Sequence, residues 1–166
     1  MERPEVGPLN ELPSSAQAVV DAAGEHGLAL DVVEYPDGTR TAVEAAEAVG
    51  CDVGQIVKSL IFSIDGELVL ALTSGANRVD TNALVAAAGG ERCDRADADQ
   101  VRATTGFAIG GVPPFGHANP VRAFYDPALS DFDVVWAAAG TPRHVFPIDP
   151  SALLKMTGAT VVDFCE

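Results

Sequence analysis

The chain has 166 residues, 48% of them hydrophobic, and a formal net charge of −14. This length fits one domain around a single core, and no apolar run approaches the ~20 residues that span a bilayer. The negative charge excludes a protein that coats long duplex nucleic acid, because such binding requires neutralised phosphates.

Cysteine and histidine spacing indicates neither a disulfide framework nor a metal site. The three cysteines include no CxxC pair, and the three histidines show no HxxxH or HExxH arrangement. The N-terminus also lacks a signal-peptide pattern. We therefore expect a reduced cytoplasmic protein that contains no metal and no cofactor.

The first part of the chain combines an N-terminal arm with helix and strand signals. Residues 1–13 contain three prolines and are expected to form a loose arm, so the folded domain comprises residues 14–166. In chain order the pattern then predicts a helix from Ser14 or Ser15 to about Glu25, a strand Leu30–Tyr35, a turn at 36–38, a helix from the capping box Thr41-x-x-Glu44 to Gly50, and strands Ile56–Ile64 and Glu67–Thr73. The last two strands flank Asp65-Gly66, a strong hairpin signal.

The second part mixes helices and strands without a regular βαβ alternation. It predicts helices at Thr81–Ala88, from Asp97 to before Gly106, and from Pro150 after the capping residue Asp149, with strands at Val121–Tyr125, Val134–Ala138, His144–Ile148 and Thr160–Phe164. This order favours the α+β class. We expect a single domain with a mixed, largely antiparallel sheet, barrel-like and flanked by helices.

Lys58 is the residue that most suggests a function. It lies within Ile56–Ile64, which otherwise reads as a buried strand, and it is one of only two lysines in the chain. An ammonium is costly to desolvate unless it is paired or directed into a polar cleft. By itself, the position is better explained by a lysine whose stem lies along the strand with its charge in water.

A second unusual segment is the loop Gly110-Gly111-Val112-Pro113-Pro114-Phe115-Gly116-His117. Glycines let main-chain N–H groups approach a ligand, and prolines restrict the loop. Such a loop can form an anion-binding nest or an oxyanion hole. It also fits a simple tight connection, and it lacks the residues of a phosphate-binding P-loop.

Together these segments resemble the YbaK/EbsC family of trans-editing aminoacyl-tRNA deacylases, which is related to the editing domain of bacterial prolyl-tRNA synthetases. The resemblance rests on Ile56-Val57-Lys58-Ser59-Leu60, Thr105-Gly106-Phe107 and the Gly110-x-x-x-Pro114 loop, and it covers roughly residues 28 to 166. It implies an enzyme that hydrolyses the ester of a mischarged tRNA. The expected partners are the acceptor end of that tRNA and an aminoacyl-tRNA synthetase, with no membrane.

The resemblance also implies roles for site residues. Lys58 would contact the acceptor end or orient the ester, and main-chain groups of Gly110, Gly111 and Val112 would hold the aminoacyl carbonyl. Residues expected to shape the substrate pocket are Val112, Pro113, Pro114, His117, Arg78, Asp80 and Gly140.

Several alternatives remain open from the residues themselves. His117 is expected to fix the loop by a hydrogen bond rather than to act as a base, and Arg78 and Asp80 could form a turn salt bridge instead of reaching the cleft. Adjacent strand residues point to opposite faces, which disfavours a Ser59–Lys58 nucleophile pair. The remaining functional alternatives are a non-catalytic binding module for an aminoacylated or phosphorylated ligand and a small-ester Ser–Lys hydrolase.

We predict that deacylation does not depend on a metal ion, because no group of His, Cys and carboxylate residues has ligand spacing in the sequence. The rate of mischarged-tRNA hydrolysis should be the same before and after treatment with a chelator. A loss of rate that added Zn²⁺ restores would contradict this prediction.

Overall fold

The structure, a computed structural model, describes residues 12–35 and 41–166. Within these ranges the chain forms the predicted α+β domain, with five α-helices and an eight-stranded mixed sheet. The helices are α1 (Ser14–Glu25), α2 (Ala42–Val49), α3 (Thr81–Ala88), α4 (Ala98–Thr105) and α5 (Pro150–Thr157). The strands are β1 (Val33–Glu34), β2 (Ile56–Ile64), β3 (Glu67–Ser74), β4 (Cys93–Arg95), β5 (Arg122–Tyr125), β6 (Val135–Ala138), β7 (His144–Ile148) and β8 (Thr160–Val161). Residues 1–11 of the expected arm and the expected turn at 36–38 lie outside the described residues.

The sheet is built around the hairpin of β2 and β3. Its strand order is β1-β7-β6-β2-β3-β5-β8, and β4 pairs separately with β2. Antiparallel pairs are β1–β7, β2–β3, β2–β4 and β6–β7, while β2–β6, β3–β5 and β5–β8 are parallel. The sheet is open, because the end strands β1 and β8 do not pair with each other, so the expected barrel-like sheet does not close.

Local sequence signals account for most element boundaries. The capping box at α2 forms as predicted, with the Glu44 N–H donating to Thr41 Oγ1 and the Thr41 N–H to the Glu44 carboxylate. In the β2–β3 turn both Asp65 and Gly66 have positive φ, 51° and 90°, which is the two-residue turn that suits the twist of a hairpin. Asp149 caps α5 by accepting from the Ser151 N–H.

Helices cover both faces of the central strands. The cluster beneath α1, α4 and α5 includes Leu70 and Leu72, whereas Val69 and Ala71 pack under α3 on the opposite face. This alternation makes β3 buried on both sides. α2 forms a third cluster with Ile56 and Val145, next to β6 and β7. No helix in the described parts of the chain is both long and apolar enough to cross a membrane.

Two predicted strands are shorter than expected, and a third strand was not predicted. Strand pairing covers only Val33–Glu34 of the predicted Leu30–Tyr35, and only Thr160–Val161 of the predicted Thr160–Phe164, although Cys165 forms an isolated bridge with Val79. β4 was not predicted at all. Its three residues have no alternation of their own and become a strand only because they pair with Phe62–Ile64.

Gly140 packs against α1 and is expected to be essential for stability. Its φ is +90°, and a Cβ there would lie 2.4 Å from the Ser15 carbonyl oxygen. Gly158 is a matched control, since its φ is +62° but a Cβ would meet no atom within 4 Å. Gly158→Ala should cost about 1 kcal/mol of unfolding free energy for the left-handed backbone alone, and Gly140→Ala about 3 kcal/mol or more.

Chemical denaturation of the two variants and the wild type measures this difference. Equal losses of unfolding free energy in the two variants would show that the contact with α1 is not the constraint at Gly140.

Candidate functional site

A cavity of about 430 Å³ lies beside β2, between the residues that pair with β6 and those that pair with β4. On one side, β2 pairs with β3 over Val57–Ile64. On the other side it pairs with β6 at Ile56 and Val57 and with β4 at Phe62–Ile64. In the described ladders, residues 58–61 are therefore unpaired on this second side, and all four line the cavity. β2 is buried at both ends and only half-buried between them.

The main-chain groups of Ser59 face this gap. Successive strand residues direct their N–H and C=O groups to opposite edges of the strand. The carbonyl of Ile56 accepts from the Gly75 N–H at 2.7 Å, so the even-numbered residues of β2 turn towards β3. The N–H and C=O of Ser59 consequently turn towards the cavity, where they can bind a ligand as an added strand would.

The Lys58 side chain lies on the opposite face from Ser59, and its position is fixed by the loop after β3. Its Nζ donates to the main-chain carbonyl oxygen of Asn77 at 2.6 Å. Burial lowers the pKa of the Lys58 ammonium, and repulsion from Arg78 acts in the same direction, while Cys165 and Asp126 act to raise it. Lys58 is thus a half-buried cation held by a carbonyl rather than by a paired carboxylate.

Asp126 organises the loop that holds Lys58. Its carboxylate accepts from the Asn77 side chain at 2.9 Å, the Ser74 N–H at 3.1 Å and the Ala128 N–H at 2.9 Å. Burial acts to raise the pKa of Asp126, but these hydrogen bonds outweigh it and the pKa is lowered. Asp126 is therefore an anion that fixes Asn77 and acts on Lys58 through space.

Cys165 is a hydrogen-bond donor in the same network and not a nucleophile. Its Sγ donates to Asp126 at 3.4 Å. Burial and the neighbouring Asp126 charge raise the pKa of the Cys165 thiol to about 12. Near neutral pH the thiol keeps its proton, so Asp126 supplies the negative charge near Lys58.

The glycine-rich loop lies on the other side of the cavity from α2, and only part of it reaches the cavity. Gly110 and Val112 line the cavity, whereas Gly111 packs on the neighbouring loop, where a Cβ would lie 2.7 Å from Thr141 Cα. The Gly111 N–H is also used within the loop, donating to the Ala108 carbonyl at 2.9 Å. The Gly110 and Val112 N–H groups are therefore the better candidates for contact with a bound carbonyl.

His117 fixes this loop, as the first of its two sequence interpretations requires. Its Nε2 donates to the Pro113 carbonyl oxygen at 2.7 Å. Pro113 and Pro114 are buried and, like His117, do not line the cavity. These three residues support the shape of the loop instead of contacting the cavity directly.

The remaining predicted pocket residues lie outside the cavity lining. Asp80 caps α3 by accepting from the Asn82 and Ala83 N–H groups, and exposed Arg78 lies near enough to Lys58 to affect its pKa. Gly140 is buried against α1 as described above.

The structure adds cavity residues that the sequence did not identify. They come from segments far apart in the chain: Tyr35, Arg95, Trp136, Thr141 and His144 are among them. Thr141 Oγ1 and His144 Nδ1 are hydrogen-bonded at 2.6 Å, which joins the loop before β7 to the strand itself. Arg95 could not be found from its pattern, because it enters the lining through the unpredicted strand β4.

The formal charges of the described lining residues are positive, although the protein is strongly acidic. Among the described lining residues, Lys58 and Arg95 carry formal charge, and none is Asp or Glu. Much of the remaining wall is apolar, including Val57, Val101 and Val112. The arrangement suits a ligand that joins an anionic group to a small uncharged one.

Known proteins are similar to this chain in fold and in sequence. The aminoacyl-tRNA editing domain family matches residues 36–156. The crystal structure of a candidate trans-editing enzyme for prolyl-tRNA synthetase is 48% identical, with a TM-score of 0.89, and the match covers 94% of this chain and 99% of that one.

Two relatives extend the comparison. EbsC of Enterococcus faecalis, a candidate Cys-tRNA(Pro)/Cys-tRNA(Cys) deacylase, is 24% identical over 70% of this chain and 72% of its own length. The proline–tRNA ligase of Pelotomaculum thermopropionicum is 30% identical over 72% of this chain, but this covers only 21% of the ligase.

Stability should fall on mild acidification, in part because of His117. Burial lowers the pKa of His117 from its ordinary 6.5, against the effect of its bond to Pro113. A lowered folded-state pKa means that the unfolded chain takes up the proton first, so stability is complete above pH 6.5 and is lost as pH falls towards the folded-state pKa. Burial lowers the pKa of His144 as well, so His117 supplies only part of the slope.

His117→Gln should flatten this dependence, since glutamine can donate to Pro113 but does not titrate. Unfolding free energies at several pH values between 5 and 7.5 provide the measurement, with His26→Gln at the exposed end of α1 as the control. An unchanged slope in His117→Gln would contradict the assignment.

Proposed function

This chain belongs to the aminoacyl-tRNA editing domain family of hydrolases that act on aminoacyl-tRNA esters, and we propose that it is a trans-editing deacylase of mischarged tRNA. The observation that carries the proposal is the meeting of Lys58, the open edge of β2 and the Gly110–Val112 loop at one cavity. These supply a cation for a phosphate, main-chain groups for the aminoacyl part and N–H donors for the ester carbonyl.

Lys58 and Arg95 are the groups we assign to the acceptor end. Both are cavity-lining cations, and the phosphate or ribose next to the ester is the anionic, oxygen-rich part of the substrate. The Gly110 and Val112 N–H groups would then stabilise the charge that develops on the ester carbonyl during attack. A donor placed in this way typically contributes about 3 kcal/mol to the transition state.

Water is the nucleophile in this scheme, and a ribose hydroxyl of the substrate is the group that we assign to activate it. A Ser59–Lys58 nucleophile pair is disfavoured, because the two side chains lie on opposite faces of β2 and Lys58 already donates to Asn77. Cys165, with its pKa raised to about 12, does not supply a thiolate.

We take tRNA for proline as the substrate class. The related structure refers to prolyl-tRNA synthetase, EbsC to Cys-tRNA(Pro), and the ligase itself is specific for proline by name. The apolar wall of the cavity favours a small uncharged amino acid. With a net charge of −14, the chain is expected to grip only the acceptor end, and prolyl-tRNA synthetase is the partner we propose for the rest of the tRNA.

Lys58→Ala should reduce single-turnover deacylation by about 100-fold or more, the loss typical of removing a positioned transition-state group. The unfolding free energy should change by only about 1 kcal/mol, because the variant loses one hydrogen bond and relieves a desolvated charge. Lys58→Arg should also be impaired, since a planar guanidinium does not replace a compact ammonium at a tight site.

Lys155→Ala is the matched control, because Lys155 is the other lysine of the chain and is exposed in the last turn of α5. Its deacylation rate should equal that of the wild type. Normal turnover by Lys58→Ala would overturn the assignment of Lys58.

One further assay separates the alternative functions. Hydrolysis of mischarged tRNA but not of a free aminoacyl ester supports editing, and hydrolysis of both supports a general esterase. Binding without hydrolysis of either supports a non-catalytic module.

A further inference from the structure

Ser59 lines the cavity and carries a buried polar side-chain atom that is unsatisfied. Within residues 12–35 and 41–166, its Oγ is the one buried side-chain nitrogen or oxygen that has no hydrogen-bond partner. Buried polar atoms are nearly always bonded, because leaving one unmet is costly. An exception that lines a ligand cavity therefore calls for a partner that comes with the ligand.

The main chain at the same residue is also open. The N–H and C=O of Ser59 turn to the side of β2 where β6 ends at Val57 and β4 begins at Phe62. The Ser59 carbonyl oxygen thus faces the gap, and the unsatisfied hydroxyl oxygen lies buried on the same residue. Serine has three staggered rotamers, so its hydroxyl can turn between the wall and a bound group.

An aminoacyl ester brings an α-ammonium group that needs such acceptors. No Asp or Glu is among the described residues that line the cavity, so within the described lining an ammonium would depend on uncharged acceptors. The hydroxyls of Thr41 and Thr141 in the lining are already bonded, to Glu44 and His144 respectively. Ser59 is the lining serine or threonine whose hydroxyl remains available.

We propose that Ser59 binds the α-ammonium group of the substrate amino acid, through its hydroxyl and its main-chain carbonyl oxygen. This inference rests on the proposed deacylase function and adds the residue that recognises the free amino group. An ammonium held at the β2 edge places the adjoining ester between Lys58 on one face and the Gly110–Val112 loop. It also excludes tRNA whose amino acid is N-acylated, such as peptidyl-tRNA.

The test removes the Ser59 hydroxyl from the protein and, separately, the α-ammonium group from the substrate. The same tRNA is charged with an amino acid and, separately, with the corresponding α-hydroxy acid, which replaces the ammonium by a neutral hydroxyl. Wild-type protein should hydrolyse the aminoacyl-tRNA faster. Ser59→Ala should slow that substrate by about 10- to 100-fold, the effect of one hydrogen bond to a charged group, and should slow the α-hydroxyacyl-tRNA much less.

Ser63→Ala is the matched control, because Ser63 is on the same strand and the same face but outside the cavity lining. It should leave the preference between the two substrates unchanged. The melting temperature of Ser59→Ala should be equal to or above that of the wild type, since the change removes an unsatisfied buried hydroxyl. A purely structural role for Ser59 would instead slow both substrates equally and lower the melting temperature.

The outcomes distinguish this inference from the function on which it rests. Ser59→Ala with wild-type rate and wild-type preference overturns the role of Ser59 and leaves the deacylase function intact. If wild-type protein hydrolyses no mischarged tRNA, the deacylase proposal fails. In that case, calorimetry measures the affinity of the protein for 3′-aminoacylamino-3′-deoxyadenosine and for its α-hydroxy counterpart. Equal affinities for the two compounds, or no binding of either, would overturn the proposed role of Ser59.

Discussion

The site depends on one departure from regular strand pairing. β4 and β6 share the same edge of β2 but leave residues 58–61 between them without a neighbour. Main-chain polar groups in a half-buried position are costly to leave unmet. A gap of this kind in the middle of a sheet therefore leaves main-chain groups that a ligand can satisfy. Around it one short segment presents a cation on one face, a hydroxyl on the other and its main chain between them.

The formal charge of the described residues at the site is opposite in sign to the net charge of the protein. The chain has a net charge of −14, yet Lys58 and Arg95 are the charged residues among those described in the cavity lining. A protein with this distribution repels most of a polyanion and attracts it at one point. Lys58 is suited to that point because Asn77 holds it through a carbonyl, and Asp126 favours its charged form without competing for its contacts.

Two glycines allow close main-chain contacts between segments near the cavity. Gly111 packs on the backbone of residues 140–141, and Gly140 in turn packs on the backbone of α1. The sequence identified the 110–114 loop as unusual because its glycines and prolines are neighbours. It assigned Gly111 and Gly140 to the substrate, whereas a Cβ at either position would first meet protein backbone. Which atoms crowd a glycine depends on distant segments, so a local pattern could not separate the two explanations.

The sequence alone determined the features that depend on neighbouring residues. The caps at Thr41, Asp97 and Asp149 and the Asp65-Gly66 turn involve contacts within about four positions, and Lys58 was conspicuous as a cation in an apolar strand. The tertiary structure decided the rest. The brief strand β4, the gap beside Ser59 and the entry of Arg95 into the cavity all require pairing between segments that are far apart in the chain. Such pairing depends on where distant segments lie after folding, which no local sequence pattern encodes. For this reason the candidate site on β2 is visible only in the tertiary structure.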